Sequence, residues 1–405
     1  MKAVIRIALA AILAAAGGAP DAGAAGDVIK IGILNDQTGV FADNGGVGSI
    51  VAARLAAEDF GNSVLGKRIE IVAADHQNKP DIASATARRW FDLEGVDAIA
   101  DGAASSAGLA ILEVARQKGK IFLISGPASS DFTGKFCSPV SFHFTYDTYA
   151  LSKIAGQAVT ARGGDSWFFI TADYAFGHAL ERDATAVIAK SGGKVLGSVR
   201  HPLGTDDFSS LLLQAQASRA KVVGLATSGR DVQNAIKQTS EFGIVQGGQS
   251  LAGLLVFITD VNALGLRVAQ GLQIATSFYW DLNDETRAWG KRFMDAGGGR
   301  VPSMVQAGVY SGVHHYLAAV KAAGTDDPAV VAKKMHEMPV NDMYNKDVRI
   351  REDGRVLHDI YLVQVKSPDE SKHRYDYYRV LAKTPGAEAF RPLSDSECPM
   401  VARKQ

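Results

Sequence analysis

From Val28 onward, short runs rich in valine and isoleucine alternate with longer stretches whose apolar positions recur every three or four residues. VIKIGIL (28–34), RIEIVAA (68–74), VDAIADG (96–102) and KIFLISG (120–126) have the composition of buried strands, and amphipathic segments near 48–60, 81–93 and 105–118 lie between them. Strands separated by helices pair in parallel, so this rhythm predicts an α/β unit with helices on both faces of one sheet. The rhythm restarts with SWFFITA (166–172), KVLGSVR (194–200), KVVGLAT (221–227) and LLVFIT (254–259), with helices expected near 148–162, 176–191, 207–218 and 230–242. A strand in GLQIATSFYW (271–280) follows, then helices near 284–296, 303–323 and 327–338, then a hairpin-like pair, VRIRE and HDIYLVQVK, about Asp353-Gly354. These late pieces are expected to complete the earlier sheets. No low-complexity linker separates the two units, as independent domains on a string would require.

The first residues change the picture of where the protein works. Met1 to Ala16 give a basic start (Lys2, Arg6) and an Ala/Leu/Ile run, followed by small residues up to Ala22-Gly23-Ala24. That is the pattern of a secretory signal peptide, residues 1–25, cut near Ala24 or Ala25. The apolar run is short for a bilayer span, and no cysteine follows it to accept a lipid, so the expected location is the periplasm. About 380 residues remain, too many for one ordinary core, and two domains are expected. Lys plus Arg and Asp plus Glu stand at 43 each, which argues against a large nucleic-acid or anionic-membrane footprint. The two cysteines, Cys137 and Cys398, are a disulfide candidate in an oxidising compartment, with two unrelated buried thiols as the alternative. No CxxC, HExxH or Cys/His cluster occurs, so neither a metal site nor a cofactor is expected.

Doubly wound sheets bind ligands beyond the carboxyl ends of their strands, which directs attention to the loops there. The first, Asn35-Asp36-Gln37-Thr38-Gly39, leads through Phe41 to Gly45-Gly46-Val47-Gly48, but Val51 stands where a dinucleotide fingerprint needs its third small residue. The second, Gly102-Ala103-Ala104-Ser105-Ser106-Ala107-Gly108, opens a helix. Its serines read both as caps and as part of a carboxylate site at a helix N-terminus. The same stretch approaches a GxSxG elbow but lacks the first glycine, and no His or Asp elsewhere is marked as a partner for Ser106. The third loop, Ser125-Gly126-Pro127-Ala128-Ser129-Ser130, reads as a plain turn or as more anion donors. In the second unit, Asp173-Tyr174-Ala175-Phe176-Gly177 and Ser228-Gly229-Arg230-Asp231 hold comparable positions; Tyr174, Phe176 and the pair Tyr279-Trp280 read as cleft or as core.

Taken in order, IKIGILNDQTGVFADNGG, DGAASSAGLAI, ISGPASS, TADYAFG, SGRDVQNAIKQTSEFGI and QAGVYSGVHHYLAAVKAAGT resemble the type I periplasmic binding proteins of the branched-chain amino acid (Leu/Ile/Val) class, from Ile29 to about Val365. The resemblance implies two doubly wound parallel-sheet lobes joined by three crossovers. Residues 27–145 with 279–340 would form the N-terminal lobe, 146–278 with 341–385 the C-terminal lobe, and 386–405 a tail. It implies a small-molecule ligand held in the cleft, closure by hinge motion, an ABC permease in the inner membrane as partner, a monomer, and no catalysis. By matching motif, Ser105, Ser106, Ala128 and Ser129 would grip the ligand carboxylate, and Tyr174 or Phe176 would cover it. Asp36 and Gln37 would border the cleft in the first loop, as would Gln306 and Tyr310 on a late helix. The family's amino-acid binders hold the ligand ammonium with an acidic residue after the last strand of the second lobe. Asp260 occupies that region, with Asp231 as second candidate, in a surrounding motif that differs from theirs. The expected function is therefore capture of a branched-chain amino acid or similar small carboxylate for import. Aromatic acids, other organic acids or amides are the alternative ligands, a ligand-sensing subunit the alternative role, and an exported serine hydrolase using Ser106 the third reading.

Overall fold

Eight consecutive residues, Val28–Asn35, form the first strand of a computed structural model that describes residues 28–401; the expected signal peptide lies outside the described residues. This strand, β1, is buried along almost its whole length, as its unbroken apolar character requires of a central parallel strand. Around it lie β2 (Ser63–Val64), β3 (Lys67–Asp75), β4 (Ala98–Asp101), β5 (Ile121–Ile124) and β6 (Ser141–His143) in the order β2-β3-β1-β4-β5-β6. Every pairing is parallel except the short β2–β3 hairpin. A second sheet contains β7 (Ser166–Ala172), β8 (Lys194–His201), β9 (Val222–Ala226) and β10 (Ser250–Gly253), all parallel, in the order β10-β9-β7-β8. In each sheet the chain first steps to one side of the opening strand and then to the other. A crevice opens at that reversal, between β1 and β4 and between β7 and β9.

Three expectations are corrected. LLVFIT is not a strand: β10 ends at Gly253, residues 254–257 run as a loop, and Ile258–Leu264 is a helix. Its apolar run is buried because it walls the crevice and fills the core beneath, a reason that periodicity cannot separate from a pleat. The late strands do not complete the two parallel sheets. β11 (Gln273–Thr276), β12 (Ile360–Val365) and β13 (Tyr378–Thr384) form a separate antiparallel sheet, whose Ile274 and Val363 share a core with Ile170, Val223 and Leu225 of the second. Nor do VRIRE and HDIYLVQVK pair with each other. Ile350 bridges Val356 across Asp353-Gly354, and Ile360–Val365 is paired instead with β11 and β13.

The chain passes between the first sheet and the other two three times: after β6, after β11, and between the helix Pro328–Glu337 and β12. These crossings are laced together. Arg355 is fully buried; it donates to the Asp147 carboxylate at 3.1 Å and to the carbonyls of His143 and Thr145, and its guanidinium lies 4.4 Å from the Phe390 ring centre. Burial brings its pKa down to about 10, which leaves it charged at neutral pH. Phe278, on the second crossing, packs edge-on against Trp289 and against Tyr344 of the third. The structure joins Cys137 to Cys398, so the tail that carries Phe390 is bonded to the loop between β5 and β6.

Candidate functional site

A narrow cavity lies where the two reversals face each other. Loops after β1, β4 and β5 supply one wall, with Phe41, Asn44, Ala104 and Pro127 among its residues; loops after β7, β9 and β10 supply the other, with Tyr174, Phe176, Ser228, Leu255 and Phe257. Tyr146, on the first crossing, closes the end and packs edge-on against Phe257 at 5.7 Å. Both walls are drawn together. The Arg230 N–H donates to the Val40 carbonyl at 3.1 Å, and the Ala175 N–H donates to Ser106 Oγ at 3.4 Å. Gly229 permits this approach: its φ is +65°, and a Cβ there would stand 2.5 Å from the Val40 carbonyl oxygen.

Three helices begin at the cavity. In Ser105–Lys118, Ala175–Lys190 and Arg230–Glu241 the residue before the start supplies no side-chain cap, although the first N–H of the second goes to Ser106 and that of the third to the Val40 carbonyl, and residues at or just before each start belong to the wall. Their first N–H groups have no earlier carbonyl within the helix, and the aligned peptide dipoles place partial positive charge there. The wall itself contains no Asp, Glu, Lys, Arg or His. With no charged side chain in the wall, the helix starts contribute a field that favours an anion, set against the buried carboxyls of Asp101, Asp231 and Asp260 behind the wall. Tyr146 and Tyr174 keep their protons, since burial pushes both phenols well above the ordinary tyrosine range.

The residues singled out in the sequence divide into two groups. Ser105, Ala128, Tyr174 and Phe176 line the cavity. Ser105 Oγ also ties two loops together, accepting from the Ala128 and Ser129 N–H groups at 3.2 Å each. The remaining residues organise the structure around it. The Asp36 carboxylate accepts from the Gly39 and Phe41 N–H groups and from Asn78 Nδ2, which folds the first loop so that Phe41 and Asn44 reach the wall; neighbouring Gln37 is half-buried and not part of it. Ser129 caps a short 3-10 turn through the Asp131 N–H. Gln306 completes a capping box with Ser303 and donates to the Gly45 carbonyl at 3.0 Å. Tyr310 donates to Asp59, and Tyr279 and Trp280 pack on the β13 side, Trp280 donating to the Tyr375 carbonyl.

The two acids expected to meet an ammonium lie outside the cavity wall. Asp260 is fully buried and accepts from the Phe257 N–H and Gln233 Nε2, both at 2.8 Å; burial pushes its pKa up to about 7. Asp231, also buried, accepts from the Gly204 N–H at 3.0 Å and is pushed up to about 6. Phe257 is the residue that the loop after β10 presents to the cavity. Sequence reasoning named the loop of Ser228 but passed over Asn44, nine residues beyond β1, and Leu255 and Phe257, which follow β10 closely. With β10 ending at Gly253, the rule that directs attention beyond strand ends would have reached the last two. Tyr146 and Val305 carry no comparable signal, because a crossing and a distant helix bring them in.

The comparisons agree with this architecture. Residues 28–372 match the family described as periplasmic binding protein. A periplasmic binding protein from Burkholderia mallei is 46% identical, superposes with a TM-score of 0.91, and covers 93% of this chain and 100% of its own. A branched chain amino acid ABC transporter periplasmic ligand-binding protein from Burkholderia xenovorans is 40% identical, with a TM-score of 0.82 and coverage of 92% and 100%. The fold also matches that of a solute binding protein of an ABC transporter from Rhodopseudomonas palustris, solved in complex with 3,4-dihydroxy benzoic acid, at 22% identity and a TM-score of 0.80, over 89% of this chain and 98% of that one. A family match over most of the sequence, and two parallel sheets facing each other across one cleft, make this chain a member of the type I periplasmic binding proteins.

Proposed function

We propose that this protein is the solute-binding component of an ABC importer, holding a small carboxylate reversibly between its two walls and delivering it to a membrane permease. The observation that carries this reading is the cavity itself, shared by loops of both parallel sheets, apolar along its sides and faced by three helix starts. In this reading, residues 27–145 with 279–340 and residues 146–278 with 341–385 move as two bodies about the three crossings. The Arg230–Val40 and Ala175–Ser106 bonds then belong to the closed state, and the Arg355 cluster is the pivot. Hydrolysis through Ser106 is not supported, since its hydroxyl accepts a backbone bond from the opposite wall and the cavity wall contains no histidine or carboxylate to act as base. An exported, monomeric protein fits the role.

The test pairs a thermal-shift screen of the purified protein, against amino acids, aromatic acids and short carboxylates, with uptake of each hit by a strain lacking the gene. Stabilisation by a solute whose uptake is lost in that strain is the expected result. Stabilisation with normal uptake would replace transport by ligand sensing.

A further inference from the structure

We propose that the ligand is a small organic acid without an ammonium group, carrying a second, uncharged hydrogen-bonding group that Asn44 and Ser228 recognise. The inference rests on the solute-binding reading and narrows it to a ligand class. An amino acid brings a positive charge into the cleft, and a buried ammonium needs a carboxylate or several free acceptors aimed at it. None of the side chains in the wall is acidic. The three nearby acids are turned into structural bonds: Asp260 toward the start of its own helix and Gln233, Asp231 toward Gly204, and Asp101 toward Ser49 and Asn35. The helix starts that face the cavity repel a cation and attract a carboxylate. What the wall offers otherwise is aromatic and aliphatic surface from Phe41, Tyr174, Phe176, Leu255, Phe257 and Val305.

Three polar side chains interrupt that surface, and since Ser105 Oγ already accepts from the Ala128 and Ser129 N–H groups, Asn44 and Ser228 are the two left. Asn44 is 2% exposed and Ser228 3% exposed, and among the described residues neither the amide oxygen and nitrogen of Asn44 nor the hydroxyl of Ser228 has a hydrogen-bond partner. Asn44 lies beside the Asp260 carboxyl and helps to stabilise its charged form. Buried polar groups in folded proteins are paired, so two unpaired ones in the wall of a ligand cleft mark where a ligand supplies the missing partner. An amide and a hydroxyl each both donate and accept, and the group that suits them is neutral: a hydroxyl or a carbonyl. They stand on opposite walls, Asn44 after β1 and Ser228 after β9, so a ligand bonded to both is read only when the cleft is shut.

The experiment is calorimetric titration of the purified protein with four probes. Leucine and 4-methyl-2-oxopentanoate share one carbon skeleton and differ in ammonium against carbonyl; benzoate and 4-hydroxybenzoate differ by one hydroxyl. At least one of 4-methyl-2-oxopentanoate and 4-hydroxybenzoate is expected to bind at least about 100-fold more tightly than leucine, the discrimination that a site able to pair a polar group shows against one it cannot. If 4-hydroxybenzoate is that ligand, N44A and S228A each reduce its preference over benzoate by about tenfold, the loss of one hydrogen bond. If it is the oxo acid, the same variants reduce its preference over leucine by a similar factor. Circular dichroism and melting curves matching the unaltered protein show that the variants fold. Leucine binding as tightly as its oxo analogue overturns the ligand class and leaves the solute-binding reading standing. A preference unmoved in both variants overturns the assignment of Asn44 and Ser228. No binding by any of the four overturns the inference, whereas the solute-binding reading fails only if no solute in the wider screen is both bound and lost from uptake.

Discussion

Replacing Arg355 by methionine tests whether the first and third crossings depend on one buried cation. In the folded protein its guanidinium is sealed from water, 3.1 Å from the Asp147 carboxylate, and it also serves the carbonyls of His143 and Thr145. R355M keeps an apolar stem against Phe390 but strands Asp147, which retains only the Ala150 N–H and a burial that already raises its pKa. Removing one partner of a buried pair costs about 3–5 kcal/mol, because the other charge is left uncompensated. D147N is expected to cost a comparable amount. With both replaced, no buried charge remains and only the two carbonyls lack donors, at about 1 kcal/mol each for the lost bonds. The double variant should therefore lose about 2–4 kcal/mol, less than the two single losses summed, by at least about 2 kcal/mol. Urea unfolding of the four proteins at pH 7, followed by tryptophan fluorescence and circular dichroism, measures this cycle. Single losses below about 1 kcal/mol, or additivity within about 0.5 kcal/mol, would refute the argument that Arg355 and Asp147 act as a pair.

Three further outcomes follow from the same geometry. G229A places a methyl group against the Val40 carbonyl only when the walls meet, so it should weaken binding of any solute found in the screen by about 30-fold or more, a closure cost of at least about 2 kcal/mol; a dissociation constant within threefold of the parent would show that closure does not use this contact. Asp260, with its folded pKa raised to about 7, holds a proton that the unfolded chain releases near pH 4, so its contribution is complete below about pH 4 and is lost as pH rises through about 7. Relative to D260N, the parent should lose stability between about pH 4 and pH 7 in urea midpoints, and parallel profiles would contradict this. The Cys137–Cys398 bond spans 261 positions, and loop-closure entropy of that scale amounts to about 5 kcal/mol. Reductant should lower the melting temperature of the parent and leave C398S unmoved; a parent insensitive to reductant would exclude a stabilising bond.

The alternation of strands and helices through β9, and the loops after β1, β4, β5, β7 and β9 that wall the cavity, were legible in the sequence alone. The reason is local: β1, β7 and the helix Ser105–Lys118 each carry their pattern in consecutive residues, and in parallel sheets ligand loops always follow strand ends. Ser105, Ala128, Tyr174 and Phe176 were legible for that reason. The roles of Asp36, Asp231, Asp260 and Gln306 were not, because a polar residue beside a cleft reads the same whether it faces the ligand or holds up the wall. Only three-dimensional partners separate the two: the Phe257 N–H and Gln233 for Asp260, Gly204 for Asp231, the Gly39 and Phe41 N–H groups for Asp36, and Gly45 for Gln306. The third sheet, the clamp of Arg355 on residues more than 200 positions earlier, and the placing of Asn44 and Ser228 in one cavity were likewise decided by tertiary structure. Each depends on where distant segments are brought together, and the charge of a cleft is set by which side chains turn into it, a choice that packing makes after the local pattern has been spent.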